Sequence, residues 1–131
     1  MRRLIPYVII GSMTLASLLV AMLSAHQPAV TYGVGLENCA RNSQHEPATV
    51  ILFCADGNAL VGDLHWSDWG SSRATATGVA QWNTCVPSCT SGVWKNAKVT
   101  VHVFRIERGL YTRITGTNDT LFAKGPLTLP S

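Results

Sequence analysis

The sequence predicts an all-β protein: a small disulfide-stapled antiparallel sandwich or open barrel, preceded by an N-terminal signal or anchor helix. Three observations predict it. Beyond residue 25 no window carries a helical apolar stripe, whereas five or more short runs with strand patterning are separated by turn residues. All four cysteines, Cys39, Cys54, Cys85 and Cys89, lie beyond the first apolar run, and an even number in an exported chain of this size points to disulfides. The 131 residues suffice for one domain and leave little room for two.

Residues 1–25 read as an export signal, because Arg2 and Arg3 precede an uncharged, mostly apolar run from Leu4 to Ala25. Ala25 is the small residue before the expected cut. The run also approaches the roughly 20 residues that span a bilayer as a helix, so an uncleaved anchor is the competing reading, and only a retained segment would tie the chain to a membrane. Residues 26–48 show no regular period, with Gly33, Gly35, Asn38, Asn42 and Pro47 scattered through them. An extended lead-in pinned by Cys39 is expected there.

The β domain is expected over residues 49–117. Thr49 to Cys54 is apolar on both parities and rich in branched and aromatic residues, which suits a central strand covered on both faces. Asp56-Gly57-Asn58 then signals a hairpin turn. In the next strand Leu60, Gly62, Leu64 and Trp66 share one parity, read as inward, and Val61, Asp63 and His65 the other. After a turn around Gly70, Ala74, Ala76, Gly78 and Ala80 form an unusually shallow face, with room for the rings of Trp66 and Trp69. Residues 83–96 read as a long stapled loop. Lys98 to Glu107 is a strand with Val99, Val101 and Val103 on one parity, and a bulge or doubly covered end explains the phase change at Phe104. Arg108-Gly109 turns the chain into the strand from Leu110 to Thr115, and residues 118–131 read as an irregular tail.

Cys85 and Cys89 are separated by only three residues, and so short a crosslink removes less chain entropy than one joining distant segments. Each is therefore expected to pair upstream, Cys54 with Cys85 and Cys39 with Cys89. A loop of about 30 residues closed in this way is worth roughly 3 to 4 kcal/mol. Zinc chemistry is disfavoured, since the Cys-x-x-x-Cys spacing lacks related ligands.

The formal charge is +3, and without Arg2 and Arg3 eight basic side chains face seven acidic ones, which is no nucleic-acid footprint. The distribution is uneven: two arginines face five acids over 26–94, and six basic residues face two acids over 95–131. Oppositely charged neighbouring strands are the expectation, and a basic docking surface the alternative.

Three groups are candidates for function. Asp63, His65 and Asp68 fall near one strand end, and two acids with a histidine can bind a metal or act as acid and base, although solvated strand faces show the same pattern. Trp69 and Trp94 fall in loops and, with Asp68, are candidate ligand contacts, whereas Trp66 and Trp82 read as core. Asn118-Asp119-Thr120 matches a glycosylation acceptor, a triplet common by chance. No nucleophile elbow or phosphate loop occurs, and no catalytic residue, metal or cofactor is implied.

Trp66-Ser67-Asp68-Trp69-Gly70, the Ala74, Ala76 and Gly78 strand, and Cys85-Val86-Pro87-Ser88-Cys89-Thr90-Ser91-Gly92 together resemble a group of uncharacterised small exported proteins of actinobacteria, including mycobacteria and streptomycetes. The resemblance runs from Thr49 to Thr115 and includes Cys54-Ala55-Asp56-Gly57. Thr90 stands where such proteins often have Ala, and Cys39 lies in a variable region. The resemblance implies export and a disulfide-bearing β domain, and carries no catalytic or ligand residue with it. The sequence therefore points to an exported non-catalytic β domain that binds a protein or cell-wall component. An exported hydrolase or metal-dependent enzyme and a carbohydrate-binding module are the alternatives.

Overall fold

A computed structural model describes residues 33–130, so the predicted signal or anchor over 1–25 and the start of the lead-in lie outside the described residues. In chain order the elements are β1 (Gly35–Glu37), β2 (Ser43–Gln44), β3 (Val50–Ile51), β4 (Ala59–Ser67), β5 (Arg73–Asn83), β6 (Trp94–Glu107), β7 (Leu110–Gly116), the short helix α1 (Asp119–Phe122) and β8 (Leu127–Thr128). They form one sheet in the order β2-β1-β7-β6-β5-β4-β3, with β8 also paired to β7. From β3 to β7 the sheet is an antiparallel meander, while β1 joins β7 in parallel. The fold is all-β and disulfide-stapled, and the sheet curls into a half-barrel.

Chain connectivity explains the curl. β2 and β3 are the two ends of the strand order, yet only residues 45–49 connect them. In a flat sheet six strand spacings would hold them about 29 Å apart, whereas the six peptide steps from Gln44 to Val50 reach about 21 Å when fully extended. The sheet must bend to bring its edges together. Cys39, after β1, and Cys54, after β3, are bridged across that seam with a Cα–Cα distance of 5.4 Å.

The inner face collects the core, including Leu36, Leu52, Val61, Ala74, Ala76, Ala80, Val99, Val101, Val103 and Ile114. At the end of the sheet α1 adds Leu121 and Phe122. Phe122 approaches Gly116 so closely that a Cβ there would lie 2.7 Å from its ring.

β4 changes face part-way. Ala59 and Val61 are buried before residue 62, Leu64 is buried and Trp66 half-buried after it, and the register with β5 shifts between Gly62 and His65. This is a β-bulge, with Asp63 at φ +51°. The inward assignment of Leu64 and Trp66 holds, but Val61 replaces Leu60 inside because the bulge consumes one residue of the alternation. The bulge also explains Gly78: a Cβ there would lie 2.5 Å from the Gly62 carbonyl and 3.0 Å from Leu64 Cδ2. Ala76, by contrast, stands directly opposite Trp66, and both tryptophans of the motif pack against the core.

Several expectations are corrected. Cys39 pairs with Cys54 and Cys85 with Cys89, not Cys54 with Cys85 and Cys39 with Cys89. Loop entropy favoured the distant pairing, but the Asn83 to Trp94 pair closes the hairpin and holds both later cysteines in one loop. The Thr49–Cys54 stretch is no central strand. Its two paired residues lie at the sheet edge, with Val50 and Leu52 buried and Ile51 and Phe53 exposed. Part of the expected lead-in supplies β1 and β2, and part of the expected tail supplies α1 and β8. Trp94 opens β6 instead of lying in the loop. The β6–β7 register runs without a shift, and the phase change falls at Arg105, whose φ is +59°. The turn at Arg108 and Gly109 forms as expected, with both residues at positive φ.

Candidate functional site: a groove on the outer sheet face

The outer face of β4, β5 and β6 is polar because every second residue of a strand points away from the core. Across the strands His65, Thr77 and Thr100 are direct neighbours, and the Thr100 N–H donates to Thr117 Oγ1 at 3.1 Å. One row further, Ser67, Thr75, His102 and Thr115 align, and Thr75 Oγ1 lies 2.9 Å from His102 Nδ1. His102 titrates below the ordinary imidazole value because burial, and then the nearby Arg73 charge, disfavour its cation.

The bulge residue Asp63 borders a groove on this face. An open groove of about 550 Å³ is lined by Asp63, His65, Thr77, Lys98, Thr100 and Thr117, with Gly78, Val79 and Val99 as the remaining lining. It offers a carboxylate, an ammonium, an imidazole and three hydroxyls side by side. A smaller cavity of about 200 Å³ lies along the seam, against Leu36, Cys39, Gln44 and Val50.

The groove joins Asp63 to His65 and leaves out Asp68, which sits in the turn after β4 with its carbonyl accepting from Ser71 N–H at 3.1 Å. Among the described residues no three His, Cys, Asp or Glu side chains stand close enough to hold a metal ion. The His65 side chain makes no hydrogen bond or ion pair among the described residues.

Trp69 is half-buried and tied into the fold. Its indole N–H donates to the Val34 carbonyl at 2.8 Å, and its ring meets those of His45, Trp66 and Tyr111 edge-on at centroid distances of 5.6, 4.7 and 5.2 Å. Trp66 donates to the Pro47 carbonyl at 2.8 Å. The Tyr111 hydroxyl donates to the Ser71 carbonyl at 2.7 Å and accepts from Gly70 N–H at 3.0 Å. Together these bonds strap β1, the seam segment and β7 to the end of β4.

Trp94 is exposed on the outer side of β6. Asn118 caps α1, its side-chain oxygen accepting from Leu121 N–H at 3.0 Å.

No family model, curated protein or solved structure matches this chain.

Lys98, Thr77, Thr100 and Thr117 were not singled out as site residues in the sequence. The alternation of Lys98, Thr100 and His102 marks a polar strand face, but the convergence with Asp63 depends on a bulge that alternation does not announce.

Proposed function

We propose that this is an exported β domain that binds an extracytoplasmic protein or cell-wall component in the outer-face groove and performs no chemistry of its own. The observation that carries the reading is the convergence of Asp63, His65, Lys98 and three threonine hydroxyls in one open groove. Such a lining suits a polar ligand that bears both charges and hydrogen-bonding groups. A general base needs a partner that orients it, and His65 lacks one among the described residues. The two disulfides suit an oxidising, extracytoplasmic compartment. Among the described residues no helix is long and apolar enough to cross a membrane. Export by the Leu4 to Ala25 run, as in the actinobacterial proteins the chain resembles, completes the reading, and N-terminal sequencing of the secreted form should begin at His26.

A photo-crosslinking residue at Thr77 tests the binding. It should trap a single envelope component, and Lys98→Glu should abolish the adduct. Labelling that is diffuse, or indifferent to Lys98, would contradict the proposal. The presence of Asp63 and His65 in the same groove favours a hydrolase as the second reading. In that case His65→Ala would abolish turnover of the trapped component while the adduct persists.

A further inference from the structure

The β5–β6 hairpin has a second feature, independent of the groove. From Trp69 to Ile106 the chain contains no Asp or Glu, while Arg73, Lys95, Lys98 and Arg105 are all basic. Its tip, residues 84–93, carries no charge at all. Val86 is 70% exposed, Val93 63% and Trp94 51%. Large apolar side chains scattered singly over a surface are ordinary. Here three stand at the end of one hairpin, brought together by the bond from Thr84 N–H to the Val93 carbonyl at 2.9 Å.

Several polar groups of this tip are paired with one another. Asn83 accepts from Cys85 N–H at 2.9 Å and donates to the Cys89 carbonyl at 2.8 Å. Val93 N–H donates to Thr84 Oγ1 at 3.0 Å, and the Ser88 and Ser91 hydroxyls share a bond of 2.8 Å. A loop whose polar groups are paired internally loses less on leaving water. The Cys85–Cys89 bridge holds the loop in that form, so little further ordering is needed.

We propose that this tip is a wedge for a membrane surface: Val86, Val93 and Trp94 enter the headgroup region of a bilayer, and Lys95 meets its anionic headgroups. Indole rings favour that boundary because one part is apolar and the other can hydrogen-bond. The absence of carboxylates from Trp69 to Ile106, with Glu107 at the far end of β6 from the tip, answers a uniformly anionic surface, whereas a protein partner presents charges of both signs.

The test uses the full-length chain with vesicles of phosphatidylcholine, with and without phosphatidylglycerol. On anionic vesicles the tryptophan emission should shift to the blue and be quenched by lipids brominated on their acyl chains. Trp94→Phe should remove most of that quenching, since Trp66, Trp69 and Trp82 pack against the core. Lys95→Gln should weaken partitioning about fivefold, the weight of one basic side chain near an anionic surface. Lys124→Gln, outside the hairpin, should change nothing. Trp94, Lys95 and Lys124 are exposed, so the three variants should keep the wild-type far-UV spectrum. Vesicle capture that leaves Trp94 open to aqueous acrylamide would assign binding to the Leu4 to Ala25 run and overturn the proposal. Equal binding to neutral vesicles, or shielding of Trp94 by an envelope protein in the absence of lipid, would overturn it as well.

Discussion

At the residue scale, the tryptophan motif acts through its polar atoms as much as through its rings. Trp69→Phe keeps an aromatic ring but leaves the Val34 carbonyl without the indole donor, and should cost about 1 kcal/mol, the usual net worth of such a bond, measured by urea unfolding. Tyr111→Phe removes a hydroxyl that both donates to Ser71 and accepts from Gly70, and should cost about 1 to 3 kcal/mol because two part-buried groups lose their partner. The same hydroxyl makes stability depend on alkaline pH. Burial raises its pKa above the ordinary 10.0, partly offset by the Gly70 N–H bond. The unfolded chain therefore releases this proton first. Stability from Tyr111 is whole below about pH 10 and falls as the pH climbs from there through the folded value. Tyr111→Phe should remove this part of the alkaline loss in a series of melts taken at rising pH.

At the scale of elements, the bulge in β4 decides the most. It turns Leu64 and Trp66 inward and carries Asp63 to the rim of the groove. Gly78→Val would drive side-chain atoms into the Gly62 carbonyl, which backbone cannot yield cheaply, and should cost about 3 kcal/mol or more, the upper range for overpacking. Ala76→Leu, opposite Trp66, meets a side chain instead of backbone and should cost about 1 to 3 kcal/mol. If Gly78→Val instead melts at the wild-type temperature, the bulge is not what holds β4 to β5. The alternating residues of β6 and the Arg108-Gly109 turn were legible in the sequence because each depends on local periodicity or local φ. The bulge was not legible, since two regular half-strands of opposite phase look like one strand when read with a single parity.

At the scale of the whole molecule, the seam between β2 and β3 governs stability. Cys39–Cys54 fastens the two ends of the strand order, and Cys85–Cys89 closes a loop within one hairpin. Replacing Cys39 and Cys54 by Ser should cost about 3 kcal/mol on the chain-entropy estimate for a loop of this length. Replacing Cys85 and Cys89 should cost about 2 kcal/mol and leave the sheet intact. Denaturant unfolding of the two double variants ranks them, and a non-reduced digest should give the two pairs found here. Charge was expected to pair across strands of opposite sign. Among the described residues the ion pairs are instead Glu37 with Arg41 at 3.6 Å and Arg105 with Glu107 at 2.8 Å, each within its own half of the chain. The basic excess of the later half is therefore left facing solvent, which is what the hairpin proposal uses.

By itself the sequence determined the class of the fold, the small inner face of β5, the inward side of β6 and the turns at Gly57 and Gly109. All of these follow from local patterning and backbone freedom. Tertiary structure decided which cysteines meet, that Trp69 is a strap between β1 and β7, and that Asp63, His65 and Lys98 share one groove. Those facts depend on how the two edges of the sheet are brought round to each other, and on one extra residue in β4, and neither leaves a periodic mark in the chain.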